Sequence, residues 1–234
     1  AVNGAYKPVF YDNTFAFVNN PQYQQSFLGD ALKRNKIGNL ATVDIGGQIR
    51  YRYHNERNMR GFGLTGVDDQ FLLDRTRLFA NIEIGEDIRI FGEMLDADSR
   101  FENFAPRGIE ENRADMLNLF ADVRLLGDAG GSLKLRTGRQ ELLYGSERLI
   151  SPLDWANTRR TFEGVKLMWA GDDWNIDGFY TRPVLVNRRE FDSPDYRQEF
   201  FGSFAKADDG LACLLHQVFT GLVANRFVDS EWLA

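Results

Sequence analysis

Hydrophobic and polar residues alternate along most of this chain with a period of two. In ATVDIGGQIRYRYH, Val43, Ile45, Ile49, Tyr51 and Tyr53 share one parity, while Asp44, Gln48, Arg50, Arg52 and His54 share the other. Successive side chains of a strand point to opposite faces, so the spacing predicts a strand with one apolar and one polar face. A hairpin follows, turning at Gly85-Glu86-Asp87. Leu78, Ala80, Ile82 and Ile84 oppose Arg75, Arg77, Asn81 and Glu83; after the turn Ile88, Ile90 and Met94 oppose Arg89 and Glu93. Phe79, Phe91 and Leu95 interrupt this pattern by falling on the polar side. A barrel lumen accommodates such residues where a loop or plug packs against its wall.

MLNLFADVRLLGDAGGSLKLRTGRQ repeats the arrangement. Leu117, Leu119, Ala121, Val123 and Leu125 oppose Asn118, Asp122 and Arg124; then Leu133 and Leu135 oppose Lys134 and Arg136. In FEGVKLMWAGDDWNIDGFYTR, Val165, Leu167 and Trp169 oppose Lys166, and Trp174, Ile176 and Tyr180 oppose Asn175, Asp177 and Thr181. Trp169 and Trp174 flank the turn, where an interfacial aromatic girdle would place them; ordinary cross-strand packing gives the same arrangement. Connections within hairpins are short, whereas 55–70, 100–113 and 141–161 are long. Short turns at one rim and long loops at the other are typical of outer-membrane barrels, although a soluble sandwich also alternates. Length favours the membrane, because alternation persists for about 10 to 14 residues against about 5 or 6 in an average globular strand. The expectation is an all-β fold, an antiparallel transmembrane β-barrel that is only partial. About seven or eight strands are legible; eight close a barrel filled by side chains, and a conducting pore needs many more.

Composition narrows the functional classes. The 234 residues carry a formal net charge of -6, which gives no support for nucleic-acid binding. Arginine outnumbers lysine 22 to 6, and arginine presents a planar fork suited to carboxylates and phosphates. Cys213 is the only cysteine and His54 and His216 the only histidines, so neither an intrachain disulfide nor a zinc or haem centre is expected, and no cofactor is implied. No apolar run is long enough for a helical span, which leaves a barrel open. The opening AVNGAYKPV fits a mature chain whose export signal has been removed.

On the polar faces Arg50, Arg52, Arg75, Arg77, Arg89, Arg124, Lys134, Arg136 and Lys166 form a candidate cationic track, with Asp44, Glu83, Glu93, Asp122 and Asp177 available to pair with some of them. Unpaired arginines along a narrow channel would concentrate anions; the competing account is internal salt bridging that makes a charged interior tolerable. Catalysis has little support. Asp96, Asp98, Glu102, Glu110 and Glu111 lie in or near loops without a spacing that establishes a facing pair. Ser146 lacks a nucleophile-elbow context, and GFGLTG at 61–66 has no following lysine.

DIGGQIRYRYHNERN, DQFLLDRTRLFANIEI, ENRADMLNLFADVRL, GRQELLYGSERLISPLDWANTRRTFEGVKL and FDSPDYRQEFFG together resemble the alginate-export family of bacterial outer-membrane β-barrels. The resemblance spans about Tyr6 to Gly202. It implies an export porin with a large barrel and an arginine-rich constriction for an anionic uronate polysaccharide, with outer-membrane lipid and periplasmic export components as partners. Arg75, Arg77, Arg136 and Arg139 become the first selectivity candidates; Arg139 breaks parity with Arg136 and can face inward with it only across a bulge or at a strand end. Arg148, Arg159 and Arg160 would lie in a long loop at the pore mouth, with Asp154 and Trp155 fixing its shape. Family members are about twice this length, so the resemblance is to their amino-terminal half. Residues 203–234 lose the family pattern, as expected of a truncated or frameshifted tail, and LACLLHQVFTGLVANRF reads as a short amphipathic helix. The alternatives are a secreted all-β carbohydrate-binding protein and, third, a glycoside-active enzyme.

Overall fold

A computed structural model describes residues 4–24, 27–60, 64–128, 130–145, 147, 150–207 and 213–221. The alternating segments form the strands their period predicts. β1 (Asn35–Ile37), β2 (Ala41–Glu56), β3 (Asp69–Ile84), β4 (Ile88–Arg100), β5 (Asn112–Asp128), β6 (Gly131–Gln140), β7 (Phe162–Gly171) and β8 (Trp174–Leu185) follow in chain order. A short β9 (Ser193–Pro194), β10 (Gln198–Ala207) and β11 (Cys213–Gly221) complete the set. All pair antiparallel in one sheet of order β1-β2-β3-β4-β5-β6-β7-β8-β10-β11, with β9 beside β8. Among the described residues β1 and β11 do not meet, so the sheet is a partial β-barrel wall. Residues 213–221, read from sequence within an amphipathic helix, instead form a strand paired with β10. Backbone hydrogen bonding to an existing sheet edge outweighs the weak helical pattern there. The expected tail boundary at 202/203 falls inside β10.

The turns follow the predicted asymmetry. β3–β4, β5–β6 and β7–β8 are joined by two or three residues, whereas β2–β3, β4–β5 and β6–β7 are joined by long connections. The sheet's two faces are chemically opposite. The outward face exposes Ile45, Ile49 (67%), Tyr51, Leu78 (59%), Ile88, Ile90, Met94, Leu119, Val165, Leu167 and Ile176. An exposed apolar expanse of this extent far exceeds what a monomeric soluble domain tolerates. On its long-loop side it ends in ion pairs among Asp74, Asp96, Asp98, Arg100 and Arg113.

The inward face carries the buried charges together with Phe79, Phe91 and Phe120. Those rings are covered by the segment preceding β1, whose Ala5, Val9, Tyr11, Phe15 and Phe17 join them in one core. The aromatic interruptions of the strand pattern are thus the seat of the chain's own amino-terminal segment. A second core, of Leu142, Tyr144, Ile150, Phe162, Phe179 and Phe200, seats the long connection after β6. Leu117, expected on the outward parity, is buried with Leu95 and Ala97. The β4–β5 register shifts between Glu93 and Met94, and the extra residue of the resulting bulge turns Leu117 inward.

Candidate anion-binding mouth and the ion network beneath it

β2 and β3 present Arg50, Arg52 and Arg75 on adjacent inward positions, because Arg50 pairs directly with Arg75 in register. The β6–β7 connection folds onto them. Asn157 Nδ2 donates to the carbonyls of Asp74, Asp98 and Glu110 at 2.9, 3.2 and 3.0 Å, and the Asn157 and Thr158 N–H groups donate to Ile109 O. Leu153 and Arg159 take φ of 52° and 64°, a conformation that costs a non-glycine residue energy and persists where surrounding contacts impose it.

This loop brings its carbonyls and one carboxylate to the arginines. Arg50 donates to Asp154 O at 2.9 Å and Ala156 O at 3.1 Å; Arg52 donates to Trp155 O at 2.7 Å. Arg75 donates to Ala156 O at 3.2 Å, Gln48 Oε1 at 3.2 Å and Asp154 Oδ1 at 3.1 Å. Arg159 Nη1 also meets Asp154 Oδ1. Asp154 thus meets Arg50, Arg75 and Arg159, the last of which it shares with Glu141, and its side chain is 52% exposed. Burial works to raise its pKa, yet Arg159, Arg75 and Arg50 hold it below the usual carboxylate range. Buried donors without a hydrogen-bond partner include the Nε–H groups of Arg50, Arg52 and Arg75, and also one Nη group each of Arg77 and Arg136. Arg50, Arg52 and Arg75 against the one Asp154 carboxylate leave an excess of positive charge that attracts a carboxylate or phosphate.

Beneath the mouth lies a closed network. Arg77 meets Glu93 at 2.5 Å and Glu141 at 3.6 Å. Asn118 Nδ2 bridges Glu93 and Glu141 at 2.9 and 3.1 Å, and Arg159 Nε meets Glu141. Burial opposes the Arg159 charge, but Glu141 and Asp154 hold its pKa above the usual range. These side chains are essentially inaccessible and mutually neutralised. The two parts of this arrangement differ in charge balance: the mouth has more guanidinium groups than carboxylates, whereas the network locks the loop to the wall.

The other expected cations divide clearly. Arg89 reaches Asn81 Oδ1 at 2.6 Å and Tyr11 O at 2.5 Å. Arg136 forms a two-point pair with Asp122 at 2.6 and 2.9 Å, and Lys166 meets Asp177 at 3.2 Å. Arg124 sits at the turn rim against Glu86 and Asp87, and Lys134 is exposed on the inward parity. Arg139 does not join Arg136. β6 pairs without a shift on either side of both residues, so the required bulge is absent between them. Arg139 therefore takes the opposite face, bound to Glu163 at 3.2 Å and Asp115 at 3.4 Å. In the loop, Arg160 is half-buried and its N–H donates to Pro152 O. Trp155 contributes its carbonyl while its ring stays exposed. Arg148 lies outside the described residues. Glu141, Asn118 and Asn157 were not anticipated; the one local signal was the mixed acid and amide content of GRQELLYG and DWANTRR.

A family model described as alginate export matches residues 41–220, most of the chain. The chain belongs to the alginate export family. No curated relative and no solved structure matches it. The alginate-export match begins at the start of β2 and continues through β10 and nearly all of β11. It thus runs beyond Gly202, while the segment preceding β1 lies outside it.

Proposed function

We propose that this alginate-export chain forms the wall of an outer-membrane porin that passes an anionic polysaccharide, alginate being the class member the family description names. Its outward apolar face lies against outer-membrane lipid, and its long loops face the exterior. Periplasmic export components deliver the polymer at the short-turn rim. Transport proceeds without covalent chemistry, through weak electrostatic sites that hold and release successive carboxylates.

The observation that carries the reading is Arg50, Arg52 and Arg75 gathered at one half-exposed carboxylate, Asp154, on a wall whose other face is apolar. Of the expected cations, Arg50, Arg52 and Arg75 are the selectivity residues. Arg77, Arg89, Arg136 and Lys166 serve mainly to hold the interior together. The secreted carbohydrate-binding alternative has no use for so much exposed Ile, Leu, Tyr and Val. The test is reversal potential across a planar bilayer in asymmetric KCl. Wild-type protein should be anion-selective, and Arg50→Ala/Arg52→Ala should move the reversal potential toward the cation side; an unchanged potential in inserted double variant would refute the assignment.

A further inference from the structure

The register of β2, β3 and β4 sorts their outward side chains into three tiers. From the short-turn rim, the facing pairs Ile84–Ile88, Ile82–Ile90, Ala80–Gly92 and Leu78–Met94 carry no charge, and Val43 and Ile45 extend these rows onto β2. The next pair, Thr76–Asp96, starts an ionic tier that continues through Asp74–Asp98 to Arg100 beside Leu72. Arg100 meets Asp74 at 2.7 Å and Asp98 at 3.2 Å, and Arg113 of β5 meets Asp96 at 2.6 Å and Asp98 at 2.9 Å. From Ile84 to Thr76 the strand rises about 27 Å, or about 21 Å along the membrane normal at a tilt of about 40°, so the ionic tier falls at the outer limit of an apolar band about 25 Å tall. Tyr51 pairs with Asp74 and Tyr53 with Leu72; both rings are exposed, at the level where interfacial aromatics sit. Above the ions, Tyr53, Gln70, Leu72, Phe101 and Asn103 line an open cavity of about 540 Å³.

We propose that this outward face binds a phosphorylated glycolipid of the outer leaflet, with acyl chains on the apolar rows, phosphate at Arg100 and Arg113, and sugar in the cavity at Tyr53 and Phe101. The proposal rests on the membrane placement given above. A lipid of that class carries acyl chain, phosphate and sugar in the same order as the three tiers, whereas a phospholipid leaves the cavity empty. The Arg100 and Arg113 side chains are 53% and 42% exposed. Ion pairs so exposed hold each other weakly, and a phosphate competes for the guanidinium N–H groups by two-point bonding. Three carboxylates against two arginines leave the tier with one surplus negative charge, to which the phosphate adds. A divalent cation shared between the phosphate and the half-exposed Asp96 carboxylate offsets it, the mixed ligand set that Mg²⁺ takes. The Tyr53 and Phe101 rings offer faces to sugar C–H groups, and the Gln70 and Asn103 amides offer donors and acceptors to its hydroxyls.

The test is native mass spectrometry of the detergent-purified protein titrated with bisphosphorylated lipid A in the presence of Mg²⁺. Wild type should bind lipid A about tenfold more tightly than dephosphorylated lipid A or phosphatidylglycerol, and chelation of Mg²⁺ should remove the preference for the phosphorylated form. Arg100→Gln/Arg113→Gln should lose about tenfold in lipid A affinity. Tyr53→Ala/Phe101→Ala should lose about fivefold for lipid A while its phosphatidylglycerol affinity stays unchanged. Asp96→Asn should make lipid A binding indifferent to chelation. Equal affinity for the three lipids, or lipid A affinity unchanged by chelation or in either double variant, overturns the proposal; where the arginine variant does not fold, the Tyr53/Phe101 variant decides. Any of these failures in protein that still forms anion-selective channels leaves the transport reading standing, whereas protein that does not insert into lipid A-containing bilayers overturns both.

Discussion

Replacing Asp154 with asparagine should strengthen anion binding at the mouth. The substitution keeps the shape and removes the negative charge that Arg50, Arg75 and Arg159 share. A bound carboxylate about 4 Å from Asp154 would feel a repulsion of about 4 kcal/mol at an effective dielectric of about 20. Asp154 is half-exposed, and solvent screening of such charges reduces the effect to roughly 1.4 kcal/mol, about a tenfold gain in affinity. Calorimetry with a uronate oligosaccharide at low ionic strength reads it directly, and the gain should shrink as salt rises and the Debye length falls. Weaker or unchanged affinity, in a variant with unaltered thermal unfolding, would show that the carboxylate organises the site and that charge excess does not set its affinity.

Three further outcomes follow from the same contacts. Glu141→Ala removes one of the two carboxylates that Arg159 and Arg77 each hold, leaving Asp154 and Glu93, and should destabilise the barrel by about 3 kcal/mol, measured by denaturant unfolding in detergent. Asn157→Ala removes three donated bonds to Asp74, Asp98 and Glu110; it should leave the strands intact and make the 150–161 loop several-fold more susceptible to limited proteolysis. Asp192 is raised to about 7, first by burial and also by the neighbouring Asp115 carboxyl. Its docked form therefore binds a proton that its released form gives up near the ordinary value. Docking of the 186–192 loop should be strongest below about pH 4, weaken between about pH 4 and about pH 7, and level off above. Hydrogen exchange of that loop, corrected for intrinsic rates, should lose this dependence in Asp192→Asn.

The strand wall was legible because period two reports directly which side of a sheet each residue occupies. Ile45 and Arg50, or Leu78 and Arg77, fall where their parity puts them. What covers a face is not local information. Phe79 and Phe91 break the alternation where a lumen accepts a packed loop or plug, but nothing in the strand says that the packing residues are Phe10, Tyr11 and Phe15. A bulge leaves no mark in a hydrophobic run, so Leu117 was placed on the wrong side. Arg139 illustrates the reverse: its parity was right, and the inward role implied by the family resemblance required a bulge or a strand end, whereas Arg139 pairs in regular register with Leu119 and Glu163.

Site chemistry was harder to read because partners lie far apart in sequence. Arg50 meets carbonyls 104 and 106 residues away, and no strand pattern reveals that. Arginine on the polar face was visible; its consumption was not. Arg77 and Arg136 are neutralised by Glu93 and Asp122, whereas Arg50 and Arg52 spend their Nη groups chiefly on loop carbonyls. The distinction between structural and anion-accepting cations came from the folded loop at 141–161, whose sequence announced mixed chemistry without announcing its path.

The most direct measurement is single-channel current from purified protein in a planar bilayer, before and after a uronate oligosaccharide is added. The account predicts anion-selective steps that the oligosaccharide blocks, with block weakened by Arg50→Ala/Arg52→Ala. Cation-selective steps, or anion-selective steps that the oligosaccharide leaves untouched, would contradict it.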